Sequence, residues 1–162
     1  MKNLFKKFGT ILMTVITILS LMLFASCGNK EDTTSKITTF YDTVVSSQKC
    51  LDEVADDIYS YWYNAIYKDS YYGSIDRAIA AALNDNKTNL DTIEANEPII
   101  QSLYKEVRNS ELSNEIKAVM SAYSDYYEFV VNVSGSFNSY SESKETLKKE
   151  LASALKDLAL EI

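Results

Sequence analysis

The chain has 162 residues, a formal net charge of −7, 46% apolar content, four glycines, one proline, two cysteines and no histidine. Glycine and proline together fall well below the roughly 12% of average usage, which counts against turn-rich sandwiches, barrels and collagen-like repeats, while this much apolar residue can bury a core. Without histidine there is no Ser-His-Asp or Cys-His catalysis, and no zinc site that needs an imidazole.

At the start, Lys2, Lys6 and Lys7 precede an uncharged apolar run from Ile11 to Phe24. A positive segment, a short apolar run and small residues after it make a secretory signal over residues 1–26. The run falls short of the roughly 20 residues that span a bilayer. Phe24-Ala25-Ser26-Cys27-Gly28 comes next. On these residues the chain resembles bacterial lipoproteins with a lipobox, in which Leu, a small residue and then Gly, Ala or Ser precede the Cys. Ala25, Ser26 and Cys27 match, and Phe24 stands where the pattern has Leu. The resemblance implies cleavage before Cys27, diacylglyceryl attachment to its sulfur with palmitate-type chains, and a lipid-anchored protein on the extracytoplasmic face of the cell membrane. Two acyl chains hold a protein at a bilayer where one is marginal. An ordinary cleaved signal followed by an unrelated cysteine is the alternative.

Loss of residues 1–26 removes three lysines and no acid, moving the net charge from −7 to −10. Such a chain is a poor partner for nucleic acid, which needs clustered Lys and Arg, and anionic head groups would repel it. With Cys27 acylated, Cys50 has no cysteine to pair with in the same chain. Beside an apolar stripe, it reads as a small buried hydrophobe, with a reactive or intermolecular thiol as the alternative.

Residues 27–35 are polar and patternless, as in a tether. From Ile37 the pattern turns helical: Ile37, Phe40, Val44, Leu51, Ala55, Ile58, Trp62 and Ala65 recur at threes and fours, softened at Ser47 and Gln48. This predicts a helix over 36–69, roughly 50 Å long. Gly73 turns the chain, and Ser74 is positioned to cap a short helix with Ile75, Ile79, Ala82 and Leu83 on one face. A helix over 88–108 follows, with Pro98 either kinking it or marking a fresh start capped by Asn96. Leu112, Ile116, Val119, Tyr123, Tyr126, Val130 and Val133 alternate fours and threes, a heptad seam. After Ser134-Gly135-Ser136, a last helix carries Phe137, Tyr140, Lys144, Leu147, Leu151, Ala154, Leu158 and Ile162. The Lys144 stem can lie along that seam. Short loops make successive helices antiparallel neighbours. The expected fold is therefore all-α: one domain over 36–162, an antiparallel up-down four-helix bundle in which the second and third helices together pair with the long first one.

Aromatic residues are the compositional anomaly. Tyr59, Tyr61, Trp62, Tyr63, Tyr67, Tyr71 and Tyr72 crowd a short stretch, and aromatics with a polar tip are residues of interfaces. They could equally fill the seam and its wet margins. Trp62-Tyr63-Asn64-Ala65 and the stretch from Ser134 to Ser141 also resemble small, uncharacterised helical lipoproteins and phage-associated surface proteins of Gram-positive bacteria. That resemblance implies a helical fold and brings no activity with it. Topology would gather Trp62, Tyr63, Tyr67, Tyr71 and Tyr72 with Ser134, Ser136, Asn138 and Tyr140 at one membrane-distal tip, the candidate binding site. Asp52, Glu53, Asp56 and Asp57 read as a solvated helical face, since no EF-hand spacing accompanies them. Neither a Gly-x-Ser-x-Gly elbow nor a phosphate-binding glycine loop occurs. No catalytic residue, metal or cofactor is assigned, and an enzyme is not expected. The leading expectation is an interaction module for a protein or envelope partner. A small-ligand or sensor domain with an aromatic-lined pocket is the alternative, and phage superinfection exclusion, on the resemblance alone, is a third.

Overall fold

The computed structural model describes residues 30–68 and 72–162, in which the helices are α1 (Lys30–Tyr67), α2 (Ile75–Asp85), α3 (Lys87–Val107), α4 (Ser113–Val131) and α5 (Phe137–Ala159). There is no strand among the described residues, so the all-α expectation holds. The signal segment, Cys27 and Tyr71 lie outside the described residues. No helix among those described is long and apolar enough to cross a membrane. Residues 34–162 form one compact unit.

α1 begins at Lys30 rather than at 36. Hydrophobic spacing cannot see a polar turn, but Glu31 and Asp32 sit in the first turn, where the positive end of the helix dipole favours acids. The Thr38 and Thr39 hydroxyls donate back to the carbonyls of Thr34 and Ser35 at 3.0 and 2.8 Å. Further along, Ile37, Phe40, Val44, Leu51, Ala55, Ile58 and Trp62 are all buried. Ser47, the soft spot of the stripe, is buried with them.

Ser74 caps α2 as expected, accepting from the Arg77 N–H at 3.3 Å, and Gly73 takes a positive φ of 71°. The expected face holds at Ile79, Ala82 and Leu83 and shifts at its start from Ile75 to Ala78. Ala78 and Ala82 are buried, Ile79 and Leu83 are half-buried against the core, and Ile75 is exposed. Small alanines let a short helix approach its neighbours closely, leaving the larger side chains to pack at its margins. Asn86 alone separates α2 from α3, donating through Nδ2 to the Ala82 carbonyl and to Asp57.

α3 runs unbroken through Pro98. Asn96 does not cap a new start: its Nδ2 donates to Ser47 Oγ at 3.0 Å. In α4 the heptad seam is buried at Ile116, Val119, Tyr123, Tyr126 and Val130, while Val133 lies half-buried past the helix end. α5 opens on a reciprocal capping box between Ser136 and Ser139. Tyr140, Lys144, Leu151, Leu155 and Leu158 are buried along it, and Ile162, expected in the seam, is exposed beyond the end of the helix.

Glu53, Asp56 and Asp57 are exposed, as a solvated face requires, but the acidic group on α1 also meets partners from beyond that helix. Asp52 accepts from the Tyr126 hydroxyl at 2.9 Å and pairs with Lys148 at 3.3 Å. Glu53 accepts from Asn89 at 2.9 Å and Asp57 from Asn86 at 2.7 Å. Asp56 holds Lys144 at 2.5 Å, so this lysine, the one buried among the described residues, has its charge met. Those carboxylates sit at the edge of α1, where three other helices supply donors. A single helix read in isolation cannot show this.

Candidate functional site

Tyr59, Tyr63 and Tyr67 repeat every fourth residue, which places them on one flank of α1 beside the buried Trp62. Against that flank lies Phe137, the first residue of α5. Its ring centroid is 5.1 Å from Tyr59, 6.0 Å from Trp62, 6.1 Å from Tyr63 and 6.0 Å from Tyr67. Trp62 also meets Tyr140 at 5.5 Å, and Tyr140 stacks on Phe129 at 4.6 Å. Ring contacts therefore continue from the core of α4 and α5 out to the end of α1.

Two local features fix Phe137 in place. Gly135 turns the chain at a φ of 89°, and a Cβ there would meet Ser139 Oγ at 2.9 Å, so both backbone angle and space favour glycine. The capping box then sets the first turn: the Ser136 hydroxyl accepts from the Ser139 N–H at 3.2 Å, and the Ser136 N–H donates to Ser139 Oγ at 2.9 Å.

Exposure rises steadily along the row. Trp62 is 5% exposed, Tyr63 37% and Tyr67 59%, with Ile66 exposed beside them. Tyr63 and Tyr67 lie 4.9 Å apart, tilted by 43°. Cations already lie over two of these rings: Lys144 Nζ is 4.6 Å from the Tyr59 centroid and Lys68 Nζ 5.6 Å from that of Tyr63. Burial, and then the Asp56 charge, pushes the Tyr140 hydroxyl well above its ordinary pKa. Tyr126 is raised likewise by burial and by Asp52. Both phenols keep their protons, with Tyr140 donating to the Ala55 carbonyl at 3.3 Å.

Of the expected site residues, Trp62, Tyr63 and Tyr67 come together on Phe137, and Tyr140 joins them through Trp62. Tyr72 does not join them. It packs on Tyr61 at 5.2 Å, and the Tyr61 hydroxyl donates to Asp85 at 2.6 Å, an interaction that raises its pKa. The Ser136 hydroxyl is committed to its cap, whereas Ser134 and Asn138 are exposed. Cys27 and Tyr71 are outside the described residues. Sequence reasoning missed Phe137 as the hub, together with Tyr59. The fourfold spacing from Tyr59 to Tyr67 signalled one of them, while Phe137 looked like any other seam residue.

Cys50 is half-buried against the core as a free thiol. Burial first, and the Glu53 charge second, push its pKa up against the opposing pull of Lys49. That favours the inert thiol over the thiolate. No cluster of three or more His, Cys, Asp or Glu suited to a metal occurs among the described residues. What the aromatic end offers chemically is contact area and π-faces on a rigid support. Protein-family models, curated proteins and solved structures were all compared with the chain, and none matches it.

Proposed function

We propose that this protein is an extracytoplasmic lipoprotein, held at the membrane by acyl chains on Cys27, whose helical domain is a non-enzymatic interaction module for a protein or envelope partner. The observation that carries the reading is the aromatic row ending in Tyr63 and Tyr67, exposed but backed by Phe137 and the core. Rigid aromatics give contact area at low entropy cost, as binding surfaces require.

In this reading the helices form an antiparallel up-down bundle, with α2 and α3 together beside α1. Pairs across the helices support it. As the α1 partner advances from Lys36 to Ser47 to Asp57, the opposite partner retreats from Glu106 to Asn96 to Asn86. Likewise Asp52 pairs with Lys148 and Asp56 with Lys144. The aromatic row then lies at the tip of the bundle where α1 ends and α5 begins.

The test is capture of envelope components by the full chain in its native membrane, comparing wild type with the Tyr63→Ala/Tyr67→Ala double variant. Capture should fall while the thermal midpoint moves little, since both rings are partly in solvent. Capture that survives while the midpoint falls makes the row structural. A Cys27→Ser variant should lose fatty-acid labelling and partition away from detergent, and equal labelling of both chains would remove the anchor from the reading.

A further inference from the structure

We infer that the occupant of this aromatic row is a cationic side chain, specifically an arginine on a basic segment of the partner protein. The inference rests on the proposed binding role of the row and names the chemistry that it selects.

Three observations converge. The rings already attract cations from within the chain, with Lys144 over Tyr59 and Lys68 over Tyr63. The faces are electron-rich, and a cation within about 6 Å of a ring centroid is drawn to them. Beyond Tyr63 the row continues to Tyr67, which is 59% exposed and tilted by 43° against its neighbour, so the two rings present an open, angled pair. Finally, the chain carries a net charge of −7 with a pI near 4.6, and the last turn of α1 holds no basic residue, Lys68 following directly after it. A basic segment is complementary in charge to this protein as a whole, and the exposed ring pair gives its cation a face to stack on. An acidic or phosphorylated partner is opposed by the same charges. Arginine suits the site better than lysine, because a flat, weakly hydrated guanidinium stacks on an aromatic face without giving up its hydrogen bonds in plane. Lys68 is then an internal stand-in, holding one face of Tyr63 until a better cation arrives.

The experiment measures binding of a short Gly-Arg repeat peptide to the full chain in detergent at fixed salt. A Gly-citrulline repeat of the same length serves as the neutral isostere. The arginine peptide should bind and the citrulline peptide should not bind comparably. Tyr67→Ala should weaken the arginine peptide by about two- to fivefold, the range of an exposed cation–π contact, and Tyr67→Phe should retain it. Lys68→Gln should strengthen binding more than Lys87→Gln, which makes the same charge change at an exposed lysine already paired with Asp91. Equal binding of the two peptides overturns the inference, as does an arginine peptide indifferent to Tyr67→Ala, or equal effects of the two lysine changes. If envelope capture still needs Tyr63 and Tyr67 while the peptides ignore Tyr67, the inference fails and the interaction role stands. If both are indifferent to the tyrosines, both fail.

Discussion

Lys144 is the residue on which most of the buried electrostatics turns. Only 7% exposed, it lies between Asp56, which it meets at 2.5 Å, and the face of Tyr59. Burial alone would raise the Asp56 pKa, but the hydrogen bond and charge of Lys144, reinforced by Lys148, outweigh it and hold Asp56 below its ordinary value near 3.8. A carboxylate depressed in the folded state adds stability at pH values above its unfolded pKa, and that stability is lost as pH falls through the folded pKa. Stability should therefore drop below about pH 4 by denaturant titration, and Asp56→Asn should flatten that part of the profile. At neutral pH the same change should cost about 1–2 kcal/mol, less than a fully buried pair because the Asp56 side chain is half in solvent. An unchanged acid limb in Asp56→Asn would assign the acid sensitivity to other carboxylates. The sequence made half of this legible. That the Lys144 stem could lie along a seam followed from its place in the spacing, but its carboxylate partner lies 88 residues away and depends on how the helices are set together.

Among the helices, those with strong apolar periodicity were the most readable. The seam of α4 is buried where its fours and threes placed it, because large apolar side chains leave only one face to bury. In α2 the expected face holds at Ala82, Ile79 and Leu83 but not at its start: Ala78, which carries little hydrophobic signal, faces inward while Ile75 is exposed. α3 raises a different point. Pro98 lies well inside it, so the carbonyl of Glu94 has no N–H from residue 98 to accept. Asn96 bonds to Ser47 instead of starting a new helix, and the neighbouring Ile100, Leu103 and Val107 remain buried. Tertiary packing thus carries the helix across a residue that would break an isolated one. Replacing Pro98 by Ala should restore the missing hydrogen bond and relieve the ring's crowding, stabilising the domain by about 1–3 kcal/mol. Chemical denaturation of the two chains measures it, and a destabilised variant would mean that the proline shapes a bend on which the core relies.

At the scale of the whole molecule, the all-α class was legible from composition and spacing, whereas helix order in space is a relation between segments that no local pattern carries. The proposed antiparallel order makes a specific demand on which lysines touch which acids. Lys36 and Glu106 lie 3.1 Å apart, Lys148 and Asp52 3.3 Å, and Lys144 and Asp56 2.5 Å. A carbodiimide joins an amine to a carboxylate with no spacer, so it reports only pairs already in contact. Treating the folded protein and mapping the products by mass spectrometry should give Lys36–Glu106 together with Lys148–Asp52. The buried Lys144 should react more slowly, because its ammonium is shielded from reagent. Reversing one helix would bring different partners together: a parallel α1–α3 pair would set Lys36 near the start of α3, at Lys87, and carry Glu106 away towards the far end of α1. In that case the Lys36–Glu106 product would be missing. The two expected products also test different halves of the arrangement, since the first joins α1 to α3 and the second joins α1 to α5. Finding the second without the first would leave the aromatic row and its α5 hub in place while moving α3. Finding the first without the second would separate Phe137 from Tyr63 and Tyr67, and the binding surface would have to be sought elsewhere.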